Sequence, residues 1–268
     1  MMTNNVTIYR KIFDEAHGYL LSFDPIDENM LDKHINSWKE CKNQSVQDLL
    51  FGMLESVSNK RNMQSTIGPI EELRPYLEEF IPPQIIEKYS DDWRGLFTTI
   101  ESNYKPPGPM EIDNPRSYWV VFCKSVFSAS HFLSRFSNLK EFGNFVSQFD
   151  LNEYTRVALP LLLKEEVFGL GFALACDFLK ENGYPKFVKP DVHIKAIFHG
   201  IGISKSNSDY DVFKDVIRFS EDINELPYCV DKLFWLVGSG RFYLDDVKIN
   251  TNRDEFIEMI KHEFRDEL

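Results

Sequence analysis

LLLKEEVFGLGFALACDFLKENGYPKFVKPDVHIKAIFHGIGI, residues 161–203, decides how the chain is read. Leu159, Leu162 and Leu163 share one stripe of a helix, and residues Phe172 to Lys180 begin a second. Between them stands Val167-Phe168-Gly169-Leu170-Gly171, a tight apolar turn. Two glycines with one residue between them permit a sharp reversal. They also leave bare amides at the start of the next helix, an arrangement that attracts anions such as phosphate. The same letters equally suit a plain helix-turn-helix corner whose glycines serve packing alone. The second half shifts the balance. After Gly183 and Pro185, Lys189-Pro190-Asp191-Val192-His193 opens an apolar helix with Ile194, Ile197 and Phe198, which places a carboxylate at a helix start about 20 residues past the turn.

Outward from this stretch, apolar residues recur at three and four, with little strict alternation, over 28–40, 45–58, 70–80, 116–135, 139–148 and 153–167. The spacing returns over 172–182, 191–200, 209–220, 228–237 and 253–264, with Gly183, Pro185, Gly202 and Gly240 as stop signals. An all-α protein is expected. No period repeats, which disfavours a helical solenoid. Lys105 to Pro115, KPPGPMEIDNP, carries four prolines that donate no amide and is the expected linker. It divides an N-terminal helical region, 1–104, from a domain over 116–240. A helical tail, 241–268, is expected to return towards the N-terminal region. Asp231 to Tyr243, DKLFWLVGSGRFY, closes the bundle, with Ser239 and Gly240 capping its helix.

The 43% apolar content of 268 residues suits a folded soluble chain. No apolar run approaches the roughly 20 residues that span a bilayer, so no membrane is expected as a partner. The first residues lack the basic start and apolar run of a secretory signal, and a cytoplasmic location is expected. The final Asp266, Glu267 and Leu268 mimic a retrieval tail, which has no meaning without such a signal. Cys41, Cys123, Cys176 and Cys229 stand more than 50 residues apart, matching neither a disulfide framework nor a metal-ligand run. They are read as reduced thiols, with no metal and no iron–sulfur cluster. A net charge of −12 opposes nonspecific nucleic-acid binding, which needs local cations. Residues 180–205 run the other way, with Lys180, Lys186, Lys189, Lys195 and Lys205 against only Glu181 and Asp191. A basic patch on an acidic body would suit gripping DNA on one face, and a solvated basic loop arising by chance fits the charge equally well.

The order of turn, helix, short loop, then Asp191, Val192 and His193 resembles the helix-hairpin-helix DNA glycosylases, the superfamily of endonuclease III and the adenine and oxoguanine glycosylases. The family's segment has valine before the aspartate and threonine after it, where this chain has Pro190 and Val192. The resemblance implies an all-α helical bundle of that type, with an additional N-terminal helical region. It implies double-stranded DNA with a damaged or modified base as partner. Gly169, Leu170, Gly171, Lys189 and His193 would lie on the DNA backbone, and the one ion the hairpin could hold is a monovalent cation. Ser117 to Phe136, SYWVVFCKSVFSASHFLSRF, resembles the family's early apolar helix. It puts Ser128, Ser130 and His131 where a residue fills the gap left by a flipped base. They equally suit a helix whose polar residues merely face solvent.

Asp191 is the expected catalytic residue, because breaking an N-glycosidic bond puts positive charge on the sugar and a fixed carboxylate stabilises it. The same aspartate suits a helix cap, and the two roles are compatible. Bifunctional family members carry a lysine two residues past the second hairpin glycine, and here that residue is Ala173. A monofunctional, water-using glycosylase is therefore expected. Lys189 or Lys195 as a substitute amine is the minority reading, since Lys195 suits an ion pair with Asp191 four residues earlier. Two readings compete with the enzyme: a non-catalytic hairpin module that binds DNA or protein, and a helical interaction protein with no nucleic-acid role, favoured by the charge.

Overall fold

The computed structural model describes residues 2–41 and 43–265; Asp266, Glu267 and Leu268 lie outside them. The chain forms α1 (Met2–Leu21), α2 (Glu28–Ile35), α3 (Val46–Ser58), α4 (Gln64–Ile67), α5 (Pro82–Lys88), α6 (Trp93–Asn103) and α7 (Tyr118–Leu133). It continues as α8 (Leu139–Ser147), α9 (Glu153–Glu166), α10 (Phe172–Glu181), α11 (Val192–Gly200), α12 (Asp209–Asp222) and α13 (Pro227–Ser239). A small antiparallel ribbon, β1 (Arg241–Phe242) with β2 (Val247–Lys248), precedes α14 (Arg253–Glu263). The fold is all-α, as its spacing predicts. No described helix is long and apolar enough to cross a membrane.

Several elements depart from the expected pattern. The stretch 70–80 is 3₁₀ rather than α, over Ile70–Tyr76 and Glu78–Phe80. Pro75 lies inside it, and Glu78 and Glu79 take positive φ, which breaks the α ladder. Helices α5 and α6 fill a region outside the segments read as helical. So does α1, although Ile8, Ile12, Ala16 and Leu20 form a buried stripe at a spacing of four.

The helices gather into two units, Met1–Cys41 with Leu179–Leu268, and Lys42–Phe178. This division differs from the expected cuts at 104, 116 and 241. The proline-rich stretch is no seam, because Gly108 donates its amide to Thr66 O at 3.0 Å inside the second unit. In that unit α7 is the central helix, burying Trp119, Phe122, Val126 and Phe132 among its neighbours α3, α5 and α6. Each such ring contributes about 1.5–3 kcal/mol by leaving water.

In the first unit α13 takes the central place, surrounded by α1, α2, α11, α12 and α14. Phe234 on α13 meets Phe198 at 5.2 Å and Phe219 at 5.8 Å between ring centres. The tail does come back to the N-terminal helix: Tyr19 lies 5.2 Å from Phe256, and its hydroxyl accepts from the Asn252 amide at 3.0 Å. Gly240 ends α13 in the left-handed conformation at φ 64°.

His34 on α2 is fully buried, edge-on to Phe242 and Tyr243, with Nε2 at 3.2 Å from Asp245 Oδ2. Burial lowers its pKa below the usual 6.5 more than Asp245 raises it. Above pH 6.5 folded and unfolded chains are both neutral here. Below it the unfolded chain takes a proton that the folded one resists, so stability falls with falling pH. Thermal melts between about pH 7.5 and 5.5 should show this loss in the wild type and a smaller loss in His34→Gln.

Candidate functional site

The turn after α9 lies in the second unit. Leu170 donates its amide to Val167 O at 3.2 Å, closing the reversal, and Gly169 sits at φ +83°. A Cβ on Gly169 would stand 2.5 Å from Ser125 Oγ and 3.3 Å from Val121 Cγ1 of α7, so only glycine fits. Gly171 differs: its Cβ would meet nothing within 4 Å, and the residue is exposed. Its carbonyl accepts the first bond of α10, from Ala175 N at 2.9 Å. Of the three residues expected to contact the DNA backbone here, Leu170 uses its amide within the turn, and its side chain is 1% exposed in the core. Gly169 and Gly171 keep amides without an acceptor among the described residues.

The residues expected to fill the gap of a flipped base, Ser128, Ser130 and His131, have separate surroundings. Ser128 Oγ accepts the Phe168 amide at 2.9 Å, so this side chain props the turn. Ser130, two residues further along the helix and on another face, is fully buried with its hydroxyl unpartnered. His131 is exposed and pairs with Asp91 at 2.6 Å.

Asp191 lies in the first unit, on a loop fixed from several sides. After α10, Tyr184 donates to Leu179 O at 3.1 Å, and Tyr228 of α13 donates to Pro185 O at 2.9 Å. Phe187, Val188 and Pro190 are buried. The Lys189 amide donates to Asp231 Oδ2 at 2.5 Å, while Asp231 Oδ1 accepts from Lys180 Nζ, also at 2.5 Å. Asp231 and Lys180 are 1% and 4% exposed. Burial pushes the Asp231 carboxyl up; Lys180 and the Lys189 amide pull it down, and nearby Asp191 pushes it up again. Next door, Glu181 is held down to about 2: burial opposes its charge, but Lys180 and Lys232 together prevail.

From this loop the Asp191 amide donates to Lys189 O at 2.8 Å, and the side chain caps α11. Oδ1 accepts from both His193 N at 2.9 Å and Ile194 N at 3.0 Å. Oδ2 has no partner among the described residues, and Asp191 is half-buried. His193 turns its ring towards α13, 6.5 Å from Trp235, with Nδ1 buried against Gly238 and unpartnered. The ring of the residue expected to contact the DNA backbone is thus packed within the fold. Lys195 pairs with Asp209 at 2.7 Å rather than with Asp191. The expected basic patch is thereby reduced, since Lys180 and Lys195 both carry a carboxylate partner.

Sequence reasoning missed Lys180 and Asp231 as the anchor of the Asp191 loop. The signal was a charged pair, Asp231-Lys232, inside an otherwise apolar helix.

No family model matches the sequence, and no curated protein matches it. Among solved structures the chain is similar to the crystal structure of Methanocaldococcus jannaschii 8-oxoguanine glycosylase/lyase in complex with 15mer DNA containing 8-oxoguanine. Identity is 16% and the TM-score 0.53, over 90% of this chain and 99% of that one. The chain thus shares the overall fold of that protein. Given that coverage, most of residues 1–104 fall within the shared fold.

Two pairs of substitutions test the local readings. Gly169→Ala should cost about 1–3 kcal/mol in denaturant unfolding, whereas Gly171→Ala should be near neutral. Asp231→Ala, which removes the closer carboxylate from buried Lys180 and the acceptor of the Lys189 amide, should cost about 3–5 kcal/mol, and adding Lys180→Met should recover part of it.

Proposed function

We propose that the protein is a DNA base-excision glycosylase that acts on double-stranded DNA carrying a damaged or modified base, with Asp191 as its catalytic carboxylate. The observation that carries this reading is the divided use of that carboxylate: one oxygen fixed by two amides, the other left for substrate. The likeness of fold to a DNA glycosylase/lyase supports it. In the proposed reaction the target nucleotide is turned out of the duplex and presented to Asp191. The bond from the sugar C1′ to the base nitrogen breaks, and the base leaves with the bonding electrons and takes up a proton. Asp191 stabilises the positive charge on the sugar and accepts a proton from the water that adds to C1′. The products are free base and an abasic sugar.

The neighbouring structure is named a glycosylase/lyase. Ala173 stands where lyase members of the family carry the amine, which favours hydrolysis alone here, without a resident cofactor. The hairpin amides of Gly169 and Gly171 are proposed to hold backbone phosphate without reading sequence.

One observation favours a second reading. The net charge of −12, with Lys180 and Lys195 already neutralised, suits a helical interaction protein that does not touch DNA. That reading requires no salt-dependent affinity for duplex.

Incubation with a panel of modified-base duplexes, followed by hot alkali, separates the readings. At least one duplex should be cut only after alkali, and borohydride should trap no covalent adduct. Asp191→Asn should bind that duplex as before and lower the single-turnover rate about 10²–10⁴-fold. Binding without excision of any base would leave the module reading. A trapped adduct would return the amine chemistry to a lysine elsewhere in the chain.

A further inference from the structure

Within its own unit, the turn after α9 is flanked by cations seated on aromatic rings. Lys124 lies on α7 one helical turn before Ser128, the residue that props the turn. Its Nζ is 5.0 Å from the ring centre of Trp93 and 5.5 Å from that of Phe168. The Arg94 guanidinium stands 4.6 Å from the same Trp93 ring. Phe168 immediately precedes Gly169 and is 48% exposed. Neither Lys124 nor Arg94 has a carboxylate partner among the described residues. The neighbouring acids are engaged: Asp92 caps α6 by accepting the Arg94 amide at 3.0 Å, and Asp91 pairs with His131. Beyond Arg94, α6 borders an open polar trough lined by Thr98, Ser102 and Asn103.

We propose that this cluster is a second backbone-binding surface for duplex DNA, with Lys124 and Arg94 each holding a phosphate of the strand that runs past the hairpin. The inference rests on the glycosylase reading above and adds to it the place where the acidic chain meets phosphate. Phosphate contact needs cations that release counterions on binding, and these two are not already neutralised by the protein. Their seats on Trp93 and Phe168 restrict both long side chains before DNA arrives, which reduces the entropy lost on binding. Through Ser128 the same face of α7 also fixes the Phe168 amide, so charge and hairpin share one support. Contacts of this type position a duplex without selecting its sequence.

The test is the salt dependence of affinity for a duplex of unmodified DNA, measured by fluorescence anisotropy across a potassium chloride series. Lys124→Gln and Arg94→Gln should each lower the slope of log affinity against log salt by about 0.9. Each should also weaken binding several-fold, equally for modified and unmodified duplexes. Melting curves check that both variants fold. A wild-type slope retained by either variant overturns the inference while leaving the glycosylase reading intact. A wild-type protein with no salt-dependent affinity removes both.

Discussion

A buried carboxylate that bridges three stretches of chain is the constraint on which the candidate catalytic loop depends. Asp231 of α13 receives Lys180 from the end of α10 on one oxygen and the Lys189 amide from the loop on the other. Withdrawing two such charges from water costs several kcal/mol each, and their attraction offsets this only with close geometry and satisfied lone pairs. Both conditions are met here, at 2.5 Å on each oxygen. The net gain in stability over an apolar pair is small by this reasoning; the gain is in position. An apolar pair would pack equally well but could not hold the Lys189 amide, and the loop would keep only its buried rings and proline. With the amide held, the chain two residues on has little freedom in where it begins α11.

The fold class was legible in the sequence because it rests on spacing. Apolar residues at three and four over long stretches leave an all-α protein as the only economical reading, and the glycines at 183, 202 and 240 do adopt positive φ at helix ends. What spacing cannot show is which helices pack together. The proline-rich stretch 105–115 has the composition of a linker, yet Gly108 is hydrogen-bonded to Thr66, and α1 belongs with the C-terminal half. Long-range packing of this kind leaves no local mark. The stretch 70–80 failed for another reason: its apolar pattern suits an α-helix, but Pro75 and the left-handed pair Glu78–Glu79 favour tighter turns.

The candidate site was legible in its parts rather than in its contacts. Asp191 as a cap followed from its place before an apolar run, and the geometry of its two amides agrees with that reading. Charge counting misled, because a run of lysines says nothing about partners. Lys180 is inside the protein and Lys195 is met by Asp209, fourteen residues further on. The placement of the α7 serines was likewise hidden in the sequence, since a helix places residues 128 and 130 on different faces, one towards the turn and one into the core. Cations that do stand without carboxylates beside the turn come from residues 94 and 124, far apart in sequence and unremarkable in either place.

Capping and catalysis by one aspartate are sometimes set against each other, but in this loop the first would prepare the second, the role proposed for Asp191. A carboxylate free to rotate would have to be ordered each time a substrate arrived. Here Oδ1 is already held at 2.9 and 3.0 Å by the first amides of α11, and Pro190 and the Lys189 contact limit the backbone behind it. The helix dipole favours negative charge at this end, so the carboxylate sits where the backbone field suits it. Stabilising a developing positive charge requires just such a preordered negative atom, because reorientation during the reaction would consume part of the benefit. Oδ2 is therefore both the least constrained atom of the site by hydrogen bonding and the most constrained by geometry.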